Sequence, residues 1–470
     1  MYRPKIIAFL CTWCSYTGAD TAGIARLKSP AHFRAVRVPC SGRVSPELIM
    51  RTFDQGADGV LVLGCHIGEC HYDSGNHRTA KRIPVLKSLL EFAGLEPQRL
   101  RLDWVSASEG ERFSRIATEF CNEILDLGPV RWRVNEDRYR AGKVDKQPIS
   151  DYDQPVFNQA VLDKQTDDMR KSARELLRSN QVDCVIGYEE DQRGRTRPTF
   201  IYNPDDCSRL VWNKNCTHNL AGYLSKKLNP ARTKSSERTS LSIAVVVKPC
   251  DSRTINVQLA EKVYQREQLH IIGMTCSGVQ EQPRSTGHLP SAQTPPLQGR
   301  CLDCSDRIPL VYDTLVGDSP DYIPDSKGIS PRALKITQLN AMAPAERMDV
   351  WLREFDRCIR CYACRQACPL CECPTCLYER DDSLWVSAAN GWDGVGLNEK
   401  RTFHLGRAYH LAGRCIGCDE CERACPVGIP ISYLNQMLAR EMETLYHHQA
   451  GDSVAPTPFV TILSGEERFL

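Results

Sequence analysis

Short apolar runs separated by stretches of helical spacing occupy the first 128 residues. The runs are Lys5–Leu10, Ala35–Val38, Gly59–Leu63 and Leu100–Trp104. Strands that alternate with helices are typical of a parallel sheet. Ser45 followed by Pro46 is typical of a helix N-terminus, because serine caps the first turn and proline fits its first position. We therefore predict an open parallel-sheet α/β domain over residues 1–128.

The same alternation returns in the middle of the chain. Its strand-like runs are Val182–Tyr188, Leu241–Val247 and Leu269–Met274. Asp163–Ser179 has helical spacing, and residues 251–266 supply the crossover helix expected between the last two strands. Residues 129–160 are charged and interrupted by proline, which predicts a linker or a wrap, and residues 278–299 have the composition of a surface loop. We predict a second α/β domain over residues 129–335.

Two amphipathic stretches in the last third of the chain each lead into a run of cysteines. Residues 341–357 precede the first run and residues 406–414 precede the second. We expect these stretches to be helices that dock a small domain, residues 336–440, against the rest of the protein. A helix is expected to continue past the last cysteine, and residues 441–470 are assigned to a tail whose end, from Ala450, is expected to be loose or to bind a partner.

Composition limits the function classes. A length of 470 residues predicts two to four domains, and a net charge of +2 predicts no nucleic-acid partner and no acidic membrane surface. The 24 cysteines fall in motifs rather than in the even scatter of a secreted disulfide scaffold. No secretory signal and no apolar stretch of about 20 residues is found. The expected location is an anaerobic, reducing cytoplasm, and no membrane span is expected.

The strongest motif is a cysteine spacing that occurs twice, as CIRCYACRQACP and CIGCDECERACP. Both copies read C-x2-C-x2-C-x3-C-P, the run that holds two [4Fe–4S] clusters in bacterial ferredoxins, where the fourth cysteine of each run ligates the other cluster. This rule assigns Cys358, Cys361, Cys364 and Cys425 to one cluster. It assigns Cys415, Cys418, Cys421 and Cys368 to the other. Zinc is the alternative, but it leaves half of these cysteines unexplained.

Five further cysteines follow the strands of the first domain. They are Cys11, Cys14, Cys40, Cys65 and Cys70. Ligands in open α/β sheets bind outside the carboxyl ends of the strands, so we expect these thiols to converge on one rim and to form a metal site. A thioredoxin-like redox pair at Cys11 and Cys14 is the alternative, and it leaves the other three cysteines unused.

The first domain resembles a known family through FLCTWCSYTGADTAG, VPCSG, GVLVLGCHIGECHY and WVSASEG. These segments are similar to the delta subunit of methyl-viologen-reducing hydrogenase. The resemblance implies one [2Fe–2S] cluster, held by four of the five cysteines, that passes electrons to the flavin-bearing subunit of a heterodisulfide reductase. Cys14 is the candidate for the cysteine that is not a ligand. His66 and His71 can either replace a ligand or orient one.

Four cysteines of the middle domain follow strands or form a CLDC motif: Cys250, Cys276, Cys301 and Cys304. Four thiols suit one [4Fe–4S] cluster, and four unrelated buried thiols are the alternative. KPCDSR, IIGMTCSG, CLDC and VYDTLVGD resemble the beta subunits of deazaflavin-reducing hydrogenase and deazaflavin-linked formate dehydrogenase, and the two cysteine runs resemble their ferredoxin modules. The resemblance implies that cluster and allows a neighbouring FAD. Lys248 and Arg253 are candidates to contact a flavin phosphate or to tune the cluster.

The remaining cysteines have less definite roles. Cys121, Cys184, Cys207 and Cys216 are expected to be buried structural residues, with Cys216 the candidate exception. Three more cysteines follow the first ferredoxin run: Cys371, Cys373 and Cys376. They could bind zinc with an outside histidine, bind an additional cluster with a partner's ligand, or shield the neighbouring cluster, and we favour shielding.

Four arginines lie close to the two runs in the sequence: Arg357, Arg360, Arg365 and Arg414. Positive charge there would raise the cluster potentials.

These features together predict an iron–sulfur electron-transfer subunit of a heterodisulfide-reductase-like complex, in which electron bifurcation is one option. Such a chain conducts between a dehydrogenase or hydrogenase partner and a flavoprotein subunit, and it needs no catalytic residues of its own. The alternative is an enzyme whose middle domain uses a flavin to oxidise or reduce a deazaflavin or a nicotinamide. A zinc-stapled scaffold is the third interpretation.

Overall fold

The structure is a computed structural model, and it describes residues 2–132, 157–192, 194–229, 241–280, 297–318, 330–380 and 396–459. Most of the linker expected at 129–160 and of the loop expected at 278–299 lies outside the described residues. Within the described part of the chain, every helix is too short or too polar to cross a membrane.

The first domain is built on four parallel strands, as the sequence predicts. The strands are β1 (Ile6–Cys11), β2 (Phe33–Val38), β3 (Gly59–Gly64) and β4 (Leu100–Trp104), in the order β2-β1-β3-β4. The helices are α1 (Ser15–Ile24), α2 (Pro46–Asp54), α3 (Gly75–Phe92) and α4 (Gly110–Leu127). Strand β2 lies on one side of β1 and strand β3 lies on the other side, so the chain changes its direction across the sheet after β2. Crevices for ligands form at such a change of direction, at the carboxyl ends of the strands.

Alternation along the strands gives this sheet two apolar faces. Val60 and Val62 of β3 contribute to the core shared with α2 and α3, whereas Leu61 and Leu63 contribute to the core shared with α1 and α4. The predicted helix start is confirmed, because the Ser45 side chain accepts a hydrogen bond of 3.2 Å from the backbone N–H of Leu48.

The second sheet has five strands and is mixed. Its strands are β5 (Cys184–Glu190), β6 (Thr196–Ile201), β7 (Ile243–Val247), β8 (Leu269–Met274) and β9 (Thr314–Val316), in the order β6-β5-β7-β8-β9. Strand β6 pairs antiparallel with β5, while the other pairs are parallel. The helices are α5 (Gln159–Arg178), α6 (Ala221–Leu228), α7 (Pro249–Ala260) and α8 (Gly299–Leu302). The crossover helix expected between the last two predicted strands is α7.

The remaining described elements are helical. They are α9 (Pro331–Ala341), α10 (Pro344–Asp356), α11 (Ala363–Ala367), α12 (Leu397–His410), α13 (Glu420–Arg423) and α14 (Ile431–Tyr446). Helices α10, α12 and α14 pack on α2 and α3, so the first and third parts of the chain share one apolar core that includes Phe92, Trp351 and Leu434. The lead-in stretches of the sequence are thus the helices that join the two domains.

The segment after α14 is packed as far as residue 459. The Asn256 side chain of α7 donates a hydrogen bond of 2.9 Å to the carbonyl of Gly451, and Arg253 forms an ion pair with Asp452. A side chain at position 451 would collide with the backbone of Arg253, and Gly451 has a positive φ of 78° that glycine tolerates best. The beginning of the expected loose tail therefore contacts the middle domain at Gly451 and Asp452, and residues 460–470 lie outside the described residues.

Candidate metal centres

The five thiols of the first domain meet at the carboxyl ends of β1, β2 and β3. Cys11 ends β1, and its sulfur lies 3.6 Å from that of Cys65, which directly follows β3. The sulfurs of Cys40 and Cys70 are 3.7 Å apart. These four side chains are buried. The first domain therefore brings its thiols together as two pairs on one rim of the sheet.

Cys14 is the outermost of the five. It is only half-buried, and burial together with the neighbouring charges of Cys11, Glu69 and Cys70 raises the pKa of its thiol. The pKa of the Cys11 thiol is instead lowered to about 6, because Cys65 donates to it and the backbone N–H groups of Trp13, Cys14 and Ser41 point at its sulfur. Backbone donors of this kind stabilise a thiolate, which is the form that binds metal.

The two histidines beside this site have other partners. The His66 ring bonds to the Glu109 carboxylate at 2.6 Å, and the His71 ring stacks on Trp13 with centroids 3.8 Å apart. His66 is thus hydrogen-bonded to a carboxylate, and His71 is stacked on an aromatic side chain at the rim of the site. Gly75 packs directly against the site, because a side chain at this position would collide with the sulfur of Cys40.

The four candidate thiols of the middle domain line one cavity of about 420 Å³: Cys250, Cys276, Cys301 and Cys304. Cys250 lies in the first turn of α7, Cys276 follows β8, and Cys301 belongs to α8. Backbone N–H groups again face sulfur, with Gly278 bonding to Cys276 at 3.4 Å and Val279 to Cys301 at 3.3 Å. The cavity suits a group with thiolate ligands, because donors and thiols face the same space.

Lys248 and Arg253, the two candidate flavin contacts, already have acidic partners. The buried Lys248 ammonium bonds to Asp251 at 2.9 Å, to the carbonyl of His218 at 2.6 Å and to the Tyr188 hydroxyl. Arg253 bonds to Asp306 at 2.6 Å and also to Asp452. The positive charges of Lys248 and Arg253, which the sequence indicated as candidate phosphate contacts, are therefore compensated by Asp251 and Asp306.

The two ferredoxin-type runs have the same backbone conformation. The third and fifth positions of both runs have positive φ: Arg360 (53°), Tyr362 (56°), Gly417 (71°) and Asp419 (56°). The turn aims the N–H of Arg360 at the sulfur of Cys358, 3.4 Å away. Equal geometry at equal positions indicates that both runs wrap around the same kind of group.

The fourth cysteine of each run lies with the other run. Cys368 of the first run lines one small cavity together with Cys415, Cys418 and Cys421 of the second. Cys425 of the second run packs with Cys358 and Cys364 of the first, and the N–H of Ile429 bonds to its sulfur at 3.4 Å. Cys361 is exposed at the surface.

Three of the four arginines that the sequence placed near these runs are paired with acidic side chains. Arg357 bonds to Glu354 at 2.8 Å, Arg365 lies 3.1 Å from Glu379, and Arg414 pairs with Glu261 of the middle domain. The fourth, Arg360, bonds to the carbonyls of Tyr378 and Glu399. Sequence reasoning missed two buried arginines, Arg300 and Arg407, whose pKa values are raised by the charges of several candidate thiols.

The extra thiols after the first run adopt two kinds of position. Cys371 packs with Cys368 and Cys415, Cys376 packs with Cys358 and Cys364, and Cys373 is exposed. Within the described ranges, no three Cys, His, Asp or Glu side chains surround a point at the distances of a single metal ion. Packing beside the candidate ligands supports a shielding role for Cys371 and Cys376.

All four unassigned cysteines are buried in apolar cores, and one of them also lies near a candidate site. Cys121, Cys184 and Cys207 are buried in the apolar cores of the two sheets. Cys216 is also buried, but its thiol is close enough to Lys248 and Cys276 for their charges to act on its pKa, which burial raises to about 12. Cys216 thus lies beside the candidate site of the middle domain.

Thiols gathered at strand ends and in paired loops, with backbone donors facing sulfur, define an iron–sulfur protein. Two family models match the chain: "Methyl-viologen-reducing hydrogenase, delta subunit" over residues 6–128 and "4Fe-4S dicluster domain" over residues 354–429. Through its first domain, the chain belongs to the family of methyl-viologen-reducing hydrogenase delta subunits.

Curated relatives match the same first domain. An iron-sulfur subunit of the F420-non-reducing hydrogenase vhc of Methanococcus voltae is 43% identical over 145 residues, which are 31% of this chain and 97% of the relative. The corresponding iron-sulfur subunit of the F420-non-reducing hydrogenase of Archaeoglobus profundus is 47% identical, over 28% of this chain and 96% of the relative. One subunit of the ferredoxin:CoB-CoM heterodisulfide reductase of Methanosarcina mazei is 49% identical over 27% of this chain but only 16% of its own length.

Proposed function

We propose that this protein is an iron–sulfur electron-transfer subunit of a heterodisulfide-reductase-like complex. It would relay electrons between a dehydrogenase or hydrogenase partner and a flavin-bearing subunit. The observation that carries the proposal is the grouping of the thiols into four sites within one molecule. The relatives support it, since their names describe iron–sulfur subunits of hydrogenases and a heterodisulfide reductase subunit.

We propose one [2Fe–2S] and three [4Fe–4S] clusters. The [2Fe–2S] ligands would be Cys11, Cys40, Cys65 and Cys70. The middle [4Fe–4S] ligands would be Cys250, Cys276, Cys301 and Cys304. The dicluster ligands would be Cys358, Cys361, Cys364 and Cys425 for cluster I, and Cys368, Cys415, Cys418 and Cys421 for cluster II. When bound, the clusters supply one-electron carriers, while the protein sets their spacing and their charge environment.

Contacts between the sites suggest their order. The middle site adjoins cluster II, because Cys415 lines the same cavity as the middle thiols and the buried Arg300 guanidinium donates to the carbonyl of Cys418. Burial lowers the pKa of Arg300, but the charges of Cys250, Cys301, Glu420 and Cys418 together raise it by more, so its charge acts on thiols of both sites.

Cluster I faces the first domain. Arg360, within its run, donates a hydrogen bond of 3.0 Å to the carbonyl of Tyr378, whose ring lies 6.2 Å from that of His410. His410 bonds to Glu47 of α2 at 2.6 Å, a few residues beyond Cys40. The proposed order is therefore middle site, cluster II, cluster I and [2Fe–2S] site.

The test is a count of iron and acid-labile sulfide on anaerobically purified protein, followed by reduction and low-temperature electron paramagnetic resonance. The variant Cys250→Ala should lose about four iron atoms per chain and keep the ferredoxin signals. Cys121→Ala is the matched control, because this buried thiol lies outside the four sites and should leave the iron content unchanged. A colourless protein that contains zinc would refute the proposal, and an unchanged iron count in Cys250→Ala would remove the middle cluster from it.

A flavin-dependent oxidoreductase is the second candidate. The size of the middle cavity favours it, since about 420 Å³ extends from the thiols to α14 and leaves room beside a cluster. The pairing of Lys248 and Arg253 with aspartates does not favour it. Extraction of the native protein and measurement of FAD absorbance distinguishes the two functions, because only the second requires stoichiometric flavin.

A further inference from the structure

Arg407 of α12 carries a buried charge with no acidic partner among the described residues. Only 4% of the residue is exposed to solvent. One terminal nitrogen, Nη2, donates a hydrogen bond of 2.9 Å to the backbone carbonyl of Cys364. The Nε and Nη1 atoms have no nitrogen or oxygen partner among the described residues, and the guanidinium interacts instead with the thiol of Cys371. A guanidinium that is buried without a carboxylate is strongly destabilising, so another negative group must compensate it.

The groups that act on Arg407 are thiols of both ferredoxin runs. Burial lowers its pKa, and the charges of Cys371, Cys368, Cys421 and Cys364 raise it by more. Cys364 is a candidate ligand of cluster I, whereas Cys368 and Cys421 are candidate ligands of cluster II. Arg407 itself bonds to Cys364, and Leu411, one helical turn further along, lines the cavity that contains Cys368 and Cys421, so Arg407 lies between the two sites.

We propose that Arg407 is a shared positioning residue, whose single positive charge compensates both ferredoxin-type clusters and raises the reduction potential of each. The inference rests on the proposed function, since it requires clusters at both sites. Reduction adds one electron to a cluster, and a fixed cation nearby stabilises the added negative charge. Any Nε–H or Nη1–H group that does not bond to Cys371 is available to donate to cluster sulfur, which acts in the same direction.

The other buried arginines of this domain differ in their compensation. Arg365 is equally buried but lies 3.1 Å from the Glu379 carboxylate, and Arg332 is paired with both Asp303 and Asp419 at 2.8 Å. Their net effect on a cluster is reduced by the paired carboxylates. Arg407 thus differs from Arg365 and Arg332 in having no carboxylate partner among the described residues, not in its burial.

The experiment compares Arg407→Gln with Arg365→Gln in the full-length chain. Redox titration is followed by low-temperature electron paramagnetic resonance, in which the ferredoxin pair is recognised by its spin-coupled signals. Arg407→Gln should move both ferredoxin potentials to more negative values and leave the [2Fe–2S] potential unchanged. Arg365→Gln should produce a smaller shift. Native potentials in an Arg407→Gln protein with native iron content would overturn the proposal.

Arg407→Lys provides the second variant, because it keeps the charge and loses the planar shape. If Arg407→Gln loses iron while Arg407→Lys assembles with potentials near native values, charge compensation is supported. If neither variant assembles, shape rather than charge is required and the proposal is wrong. These outcomes are separate from failure of the proposed function, which would appear as a native protein without iron–sulfur clusters.

Discussion

Arg401 of α12 and Asp54 of α2 form a buried ion pair of 2.6 Å that joins the third part of the chain to the first. Asp54 also accepts hydrogen bonds from Thr402 at 2.8 Å and from the Trp132 indole at 3.0 Å. The Arg401 guanidinium stacks on the Trp132 ring, 3.9 Å from its centroid. These contacts join the first domain to the dicluster domain, as the proposed electron transfer between their sites requires.

Loss of this ion pair should be costly. Asp54→Ala removes the carboxylate that compensates Arg401, and breaking a buried pair in this way typically costs about 3–5 kcal/mol. We expect a large fall in the thermal unfolding midpoint, measured anaerobically. Glu119→Ala is the control, because its pair with Arg101 is exposed and should contribute about 0–1 kcal/mol. Similar midpoints for the two variants would show that the buried pair does not hold the domains together.

Gly75 should be essential for the first-domain site for a steric reason. An added methyl group would collide with the sulfur of Cys40 and lie 3.2 Å from that of Cys70. We expect Gly75→Ala to lose the [2Fe–2S] signal while the other clusters remain. In Gly23→Ala, the added methyl group meets no atom within 4 Å, and the signal should persist. Retention of the signal in Gly75→Ala would place the cluster elsewhere.

Cys14 and Cys11 should differ although they are neighbours in one motif. Cys11 is buried and paired with Cys65, while Cys14 is half-buried at the rim. Cys11→Ala should lose the [2Fe–2S] signal and about two iron atoms per chain, whereas Cys14→Ala should keep both. The opposite result would make Cys14 a ligand and Cys11 its neighbour.

His404 should make stability depend on pH. Burial, together with Arg407 and Arg360, lowers the pKa of His404 from 6.5 to about 3, so the folded protein keeps the ring neutral, stacked 5.1 Å from Phe355. The unfolded chain takes up a proton below pH 6.5, and the native state therefore loses stability as pH falls, by at most about 1.4 kcal/mol per pH unit for this group. His404→Phe should flatten the dependence of the unfolding midpoint between pH 7 and pH 5. An unchanged slope would show that His404 does not contribute to it.

Strands with apolar runs were predictable from the sequence, including the edge strands β2 and β4, but β6 and β9 were not. Strand β8 has the predicted bounds, Leu269–Met274. Both faces of this sheet are covered, so nearly every residue of the strand is buried and the run is mostly apolar. Strand β6 contains Pro198, which is tolerated only at an edge, and β9 has three residues. Neither strand has a periodic signal long enough to detect.

The cysteine positions were predictable because their spacing reflects cluster geometry, but the compensation of charges was not. Arg253 is paired with Asp452, and Arg414 with Glu261, across 199 and 153 residues of sequence. Only the folded chain shows which cations have acidic partners. Arg407 has the same side chain as Arg401 and Arg414 nearby in the sequence, and its distinct environment comes from the packing of the folded chain.

The middle cavity has a consequence for the order of biosynthesis. Its thiols come from residues 250–304, but part of its wall consists of residues 413–417 and 436–450. After the thiol-bearing segments have been made, the ribosome must still add more than a hundred residues before the last part of the cavity wall is present. The nascent chain therefore presents this site open, and the site is enclosed only after residues 436–450 have been made.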